Sequence, residues 1–359
     1  MKKAKKNAIT LGVTIGDLNG IGGEIILRTF EDERMLDFCT PVLFASAKTI
    51  TFLSKHFNFD IKFQGIKSPA EAIPGKINVM NVFEDQPQIE FGKETKTSGK
   101  HAILSLKAAV KALKEDEIDV LVTAPINKSS IQDEDFTFPG HTDYLNQELE
   151  GNSLMFMITD SLKVGLLTDH VAVKDVAATI DEALILRKFD TIYQSLLQDF
   201  GVGKPRIAFL GINPHVGDGG VIGQEDSDTL IPTLEKIREN GKLAYGPYAA
   251  DSFFGSGNYK NFDAIIAAYH DQGLIPFKTL SFGKGVNFTA GLNKIRTSPD
   301  HGTAFEIAGQ GLADPSSFKE AVFTALSLYK KRKEYKKLTK NVLKKQKRRP
   351  GSSRKARFE

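Results

Sequence analysis

Three short apolar runs in this chain end the same way, in a polar cluster that holds a histidine. Val164-Gly165-Leu166-Leu167 leads into Thr168-Asp169-His170. Ile207-Ala208-Phe209-Leu210 leads into Asn213-Pro214-His215 and the glycine-rich Gly217-Asp218-Gly219-Gly220. Ala264-Ile265-Ile266-Ala267-Ala268 leads into Tyr269-His270-Asp271-Gln272. Runs of this length and composition suit strands buried on both faces. Helical patterns over residues 180–200 and 226–240 separate them, and parallel strands need such crossovers. Strands alternating with helices along the chain therefore predict an α/β fold with a mostly parallel sheet. Ligands bind at the carboxyl ends of such strands. Parallel pairing would bring the three histidine-bearing exits to one edge. Three imidazoles with an open fourth position suit a catalytic divalent ion. For any single histidine, a helix cap or a satisfied buried polar group is the simpler reading; the threefold repetition favours ligands.

Bulk properties narrow the setting. A chain of 359 residues has room for two domains. With 41% hydrophobic and 26% charged residues it reads as a soluble globular protein. Its one cysteine, Cys39, excludes an intrachain disulfide, fits a reducing cytoplasm and rules out a thiolate metal site. The basic start is followed by an apolar stretch that Gly12, Gly16 and Asp17 break too soon for a signal peptide. No run approaches a membrane span, so the expected location is cytoplasmic, with no membrane partner. The net charge of +4 conceals a division: residues 330–359 hold 15 Lys or Arg against 2 acidic residues, which leaves −9 on the rest. That basic tail would supply salt-dependent affinity for nucleic acid. It carries only Tyr335 and Phe358 for base stacking, so a solvated, partly helical or disordered tail is the favoured reading.

Taken in order, residues 8–13 read as a first strand. The glycine-rich Thr14-Ile15-Gly16-Asp17-Leu18-Asn19-Gly20-Ile21-Gly22-Gly23-Glu24 follows and opens a helix. It does not match GxGxxG, and no Walker A sequence occurs. Strands are expected at 41–45, near 77–82 and at 119–123, with an amphipathic helix over 98–114. The strand at 119–123 exits into Ala124-Pro125-Ile126-Asn127-Lys128. His141-Thr142-Asp143 opens a helix that Thr142 or Asp143 is placed to cap; alternatively His141 and Thr142 donate to an anion. Residues 155–159 and 164–167 suggest a hairpin. Residues 282–289 and 296–303 read as glycine-rich polar segments. A helix is expected to open at 304–308, and a last one to run from 315 to about 329.

Seven motifs occur in register: Thr14-x-Gly16-Asp17, Thr123-Ala124-Pro125-Ile126-Asn127-Lys128, Gly140-His141-Thr142, Asn213-Pro214-His215-x-Gly217, Tyr269-His270-Asp271-Gln272-Gly273, Gly285-Val286-Asn287-Phe288 and Arg296-Thr297-x-x-Asp300-His301-Gly302-Thr303. With them, residues 9–318 resemble the 4-hydroxythreonine-4-phosphate dehydrogenases of pyridoxine biosynthesis. The resemblance implies a two-domain α/β/α fold similar to isocitrate and isopropylmalate dehydrogenases. Residues 1–128 with about 304–329 would form one domain, residues 129–303 a second with the metal ligands, and residues 330–359 the basic tail. It implies NAD held without a Rossmann fingerprint, by residues the sequence does not identify. It implies a divalent metal (Zn, Mg or Co) on His170, His215 and His270. Substrate contacts would fall on His141, Thr142, Lys278, Asn287 and Arg296. A homodimer would complete the metal site across its interface. The first loop departs from the commoner family form, with Leu18, Asn19 and Gly23 where that form has Pro, Ala and Pro.

The reaction so implied oxidises 4-phosphohydroxy-L-threonine beta to its carboxylate and releases CO2, giving 3-amino-2-oxopropyl phosphate. A related acid of the phosphorylated threonate or erythronate type is the alternative substrate. Arg296 offers a planar fork for phosphate or carboxylate, and Lys278 a point charge. His270 and Lys278 stand as catalytic candidates. Asp251 and Asp271 join them as carboxylates that would orient a ligand histidine. Lys278, His141 or a water relay would serve as general base. A zinc hydrolase on the same three histidines is the rival from another class, and dependence on NAD separates the two.

Overall fold

The computed structural model describes residues 8–341, except 86, 135 and 139. Its first half runs β1 (Ile9–Thr14), α1 (Gly22–Phe30), β2 (Cys39–Ala45), α2 (Ala47–His56), β3 (Phe63–Ile66), β4 (Ile77–Asn81), α3 (Lys96–Lys114), β5 (Val120–Thr123) and α4 (His141–Glu148). The second half runs β6 (Gly151–Ile158), β7 (Lys163–Leu166), α5 (Val176–Thr179), α6 (Glu182–Gln198), β8 (Arg206–Leu210), α7 (Ile231–Glu239), β9 (Leu243–Tyr248), α8 (Ala250–Gly255), β10 (Ala264–Ala267), α9 (His270–Ser281), β11 (Val286–Leu292), β12 (Arg296–Pro299) and α10 (Ser316–Thr339).

Twelve strands form one sheet in the order β3-β4-β2-β1-β5-β12-β11-β6-β7-β10-β8-β9. Strands from β3 to β12 in that order pair parallel. So do those from β7 to β9. Three antiparallel pairings, β12 with β11, β11 with β6 and β6 with β7, join the two sets. An odd number of reversals makes the two parallel sets run in opposite directions. The fold is thus α/β with a mostly parallel sheet, and the histidine-bearing strands β7, β10 and β8 are adjacent and parallel as their apolar runs implied.

Local chemistry explains the main elements. β2 and β10 are buried at every residue, which is why they read as unbroken apolar runs. Ser46, Thr95 and Asp181 accept the N–H of the third residue on, at the starts of α2, α3 and α6. Leu184, Ile185, Phe189, Ile192 and Leu196 bury one face of α6. Burial of each such side chain stabilises by about 1.5–3 kcal/mol.

Several local expectations differ from what is seen. Residues 304–311 form hydrogen-bonded turns rather than a helix, because Gly309 and Gly311 take left-handed backbone angles. α4 is preceded by Gly140 and has no side-chain cap, so neither Thr142 nor Asp143 caps it. Residues 286–292 and 296–299 are strands, not loops. The last helix passes residue 329 and ends at Thr339. Arg332, inside the stretch counted as tail, is only 5% exposed and pairs with the buried Asp199 of the α6 C-cap. It also donates to the Leu292 carbonyl at 3.0 Å. The basic run therefore begins as a packed helix; residues 342–359 lie outside the described residues. No described helix is long and apolar enough to cross a membrane.

Candidate active site

The antiparallel centre of the sheet forms the floor of a cavity of about 290 Å³, near the lower end of ordinary ligand pockets. Alternate residues of a strand face one side. Met155 and Met157 of β6, Asn287 of β11, and Arg296 and Ser298 of β12 line the cavity. Asn287 stands opposite both Met157 and Ser298. The intervening Phe156 and Phe288 point into the main core.

Arg296 governs the charge of this floor. It is 2% exposed. Its Nε and Nη2 donate to Thr123 Oγ1 at 3.1 and 2.6 Å, and its Nη1 to Thr289 Oγ1 at 3.1 Å. No carboxylate lies within ion-pair distance of it among the described residues. Burial pushes its guanidinium down to about 9, which leaves it cationic at neutral pH. A guanidinium has five N–H donors, so three bonds to hydroxyls leave donors to spare. A buried cation held only by hydroxyls is short of a negative partner.

His141, the first residue of α4, stands beside it. Its Nε2 is buried with no hydrogen-bond partner, as are Asn287 Oδ1 and His301 Nε2. Burial first, and the Arg296 charge second, hold the His141 imidazole well below its usual pKa. The ring is therefore neutral near pH 7. Buried polar atoms in native proteins are normally paired, so three orphans on the wall of one cavity mark the place of a polar ligand. The His141 shift has a testable sign. The folded state resists protonation, whereas the unfolded chain takes up a proton below about pH 6.5. Ligand-free stability is fully present above that pH and is lost as pH falls toward the folded value, by up to about 1.4 kcal/mol per pH unit. His141→Gln should flatten this slope in urea titrations between pH 7 and 5. An unchanged slope in that variant would show that the imidazole is not held neutral.

The opposite wall comes from the exits of β7 and β10, to which the β8 exit is tied. Leu167 N and Thr168 N donate to the carbonyls of Ala267 and Ala268 at 2.8 and 3.1 Å. Thr168 Oγ1 also donates to Ala268 O at 2.8 Å. Gln272 accepts from Ala268 N and donates to Gly211 O, both at 2.7 Å, and so clamps the β10 exit to the β8 exit. Two residues past these ties, His170 and His270 both line the cavity, their ring centroids 6.3 Å apart. Two imidazoles on one tetrahedral ion, with metal–nitrogen distances of 2.0–2.1 Å, bring their ring centroids roughly 5 Å apart, so these two rings stand about 1 Å wider than a shared tetrahedral ion would hold them. His270 Nδ1 is bonded to Asp271 Oδ1 at 2.7 Å, which leaves Nε2 as its free nitrogen. His270, Leu274 and Lys278 follow at four-residue intervals down one face of α9, and all three line the cavity. The donor chemistry at this wall fits a divalent cation.

The remaining expected residues are placed as follows. Thr142 lines the cavity beside His141. His215 is exposed and does not line it. It begins a turn in which residues 215–219 all have positive φ. The buried Asp226 braces this loop by accepting Ile212 N and Asn213 N at 2.8 and 2.9 Å. Asp251 sits in the first turn of α8, with Ser252 Oγ at 3.3 Å, away from the cavity lining. Asp271 is exposed except for its contact with His270. Among the described residues no group of three or more His, Cys, Asp or Glu is placed to hold one ion. Lys128, Asp169, Ser298 and His301 also line the cavity but carried no assigned role in the sequence. Lys128 and His301 lie in motifs visible there; the contact of Lys128 with His170 and the orphaned Nε2 of His301 are visible only in three dimensions.

Known proteins bear on this geometry. The family model described as "Pyridoxal phosphate biosynthetic protein PdxA" matches residues 37–325. A 4-hydroxythreonine-4-phosphate dehydrogenase of Bacteroides thetaiotaomicron is 46% identical over 344 residues, 95% of this chain and 94% of the relative. A D-threonate 4-phosphate dehydrogenase of Cupriavidus necator is 35% identical over 318 residues, 87% of this chain and 95% of the relative. The crystal structure of a 4-hydroxythreonine-4-phosphate dehydrogenase from Klebsiella pneumoniae superimposes with a TM-score of 0.79 at 30% identity, covering 90% of this chain and 99% of that one.

Proposed function

This chain belongs to the PdxA family of pyridoxal phosphate biosynthetic proteins, and from that membership and the cavity we propose that it oxidises 4-phosphohydroxy-L-threonine with NAD and releases CO2. The observation that carries the reading is Arg296, a buried cation without a negative partner among the described residues, set across one small cavity from two neighbouring imidazoles. A substrate with acidic groups at both ends and an alcohol between them matches that layout.

The hydrogen on C3 would leave as hydride to NAD, the hydroxyl proton would pass to a base, and the O–H electron pair would close the C=O bond. The product is a β-keto acid. The C1–C2 bond then breaks, CO2 leaves, and the electron pair passes through the enolate to a protonated C2, giving 3-amino-2-oxopropyl phosphate. A divalent cation between His170 and His270 would acidify the hydroxyl and polarise the ketone formed from it. Arg296 takes one acidic group in its fork, and the neutral His141 and Asn287 complete that end by hydrogen bonds. Thr142 adds a hydroxyl. Lys278, one turn below Leu274 on α9, supplies a second positive charge. Asp271 orients the His270 ring. A homodimer with a shared site would let the exposed His215 complete the imidazole set from a second copy.

The Cupriavidus relative makes the threonate-type acid the competing substrate, differing by a hydroxyl where the amino acid has an ammonium. Asp143, Asp169 and Asp300 line the cavity; Asp169, beside His170 and 3.9 Å from Lys188 Nζ, is the one we assign to the ammonium. The test is a comparison of kcat/KM for NADH formation on 4-phosphohydroxy-L-threonine and on D-threonate 4-phosphate. A preference for the former of at least about tenfold is expected, because an unmet buried charge costs about 1–3 kcal/mol or more. The reverse preference would reassign the substrate, and no NADH from either would remove the reading.

A further inference from the structure

Lys128 is not needed by the mechanism above, yet it reaches across the cavity. It lies past the end of β5 on the first wall, and its Nζ is 3.5 Å from His170 Nε2 on the second. The side chain is exposed, and no carboxylate lies within ion-pair distance of it among the described residues. The ammonium is thus aimed at an imidazole lone pair and not at an acid.

An imidazole nitrogen has one lone pair. An ammonium donating to His170 Nε2 and a metal ion accepting from it exclude each other, and their like charges repel at that range. We propose that Lys128 is an exchangeable cation of the site: it occupies the His170 lone pair in the metal-free enzyme and moves to an acidic group of the substrate when a divalent cation takes that lone pair. This inference rests on the reading of His170 and His270 as cation ligands. Two consequences have opposite signs. Lys128 weakens metal binding to the free enzyme, because the metal must displace it. Lys128 strengthens metal binding when substrate is present, because the displaced ammonium then finds a negative partner. Metal and anionic substrate therefore bind with positive coupling, and linkage makes that coupling reciprocal.

The experiment titrates Co²⁺ into metal-free full-length protein, with and without 4-phosphohydroxy-L-threonine and with NAD omitted so that no turnover occurs. Wild type, Lys128→Gln and Lys128→Arg are compared. In wild type the substrate should tighten Co²⁺ binding about fivefold or more. Lys128→Gln should bind Co²⁺ alone about three- to tenfold tighter than wild type and lose the coupling. Its KM for substrate should rise about tenfold, with a smaller change in kcat. Lys128→Arg should keep the coupling. A purely structural role would weaken the metal site, not tighten it. If Lys128→Gln binds Co²⁺ alone no more tightly than wild type, or keeps the coupling, the exchange is overturned while the two-histidine site stands. If wild type binds no Co²⁺ under either condition, the metal reading and the exchange fall together.

Discussion

Arg296→Met is expected to lose about 10²–10⁴-fold in kcat/KM and, at the same time, to raise the melting temperature of the ligand-free protein by a few degrees. Both effects come from one fact. The guanidinium is buried, and its protein partners are two threonine hydroxyls. Bringing a charge into the interior costs several kcal/mol unless an opposite charge meets it, and replacing such a charge by an apolar side chain of similar volume is often stabilising by about 1–4 kcal/mol. Thr123 and Thr289 are left without their donor but can rotate to donate themselves. On the proposed reading the substrate's acidic group provides the missing charge in the complex, so losing the fork should cost about 3–5 kcal/mol there. Arg296→Lys keeps the charge and loses the bidentate geometry, so its activity should fall between the two. Thermal unfolding and steady-state rates on the same preparations check both signs. A variant that is less stable and nearly as active would mean that Arg296 is a structural residue.

His270→Ala is expected to remove metal-dependent turnover, by about 10³-fold or more, while leaving the fold intact. Its side chain is 42% exposed and contributes little core packing. Its Nε2 is left free by the Nδ1–Asp271 bond and its ring lies 6.3 Å from that of His170, so on the proposed reading the loss falls on the cation and not on the scaffold. Asp271→Asn should weaken metal affinity by about 10–100-fold, since it changes only the partner that orients the ring. Circular dichroism and metal titration separate the two losses. Full activity in His270→Ala would detach the reaction from this wall of the cavity.

What the sequence shows and hides follows from how each residue is buried. β7, β8 and β10 were legible because both faces pack in the core, which leaves an unbroken apolar run that ends abruptly in polar residues. The hairpin of β6 and β7 was legible because Met155 and Met157, although they line the cavity, are apolar and leave the run unbroken. β11 and β12 were not legible as strands. Asn287, Arg296 and Ser298 are polar because one face of each strand is the cavity floor, and Thr289 is polar because it holds Arg296, so the apolar periodicity is lost. The continuation of α10 through Arg332 was hidden by composition: a lysine-rich stretch reads as solvated, and only Asp199, more than a hundred residues away in sequence, explains one buried arginine in it. The direction of β7, β8 and β10 put His170 and His270 together, but no local signal foretold that the left-handed turn at residues 215–219 would leave His215 exposed. Asp251 likewise follows a loop that reads as part of the site and sits outside the cavity.

The most direct test of the account is the joint yield of NADH and CO2 from 4-phosphohydroxy-L-threonine, before and after a chelator and after a divalent cation is restored. The account predicts equal amounts of the two products, loss of both on chelation, and recovery of both with the metal. NADH formed undiminished in the chelated enzyme, or substrate consumed without NAD, would contradict it.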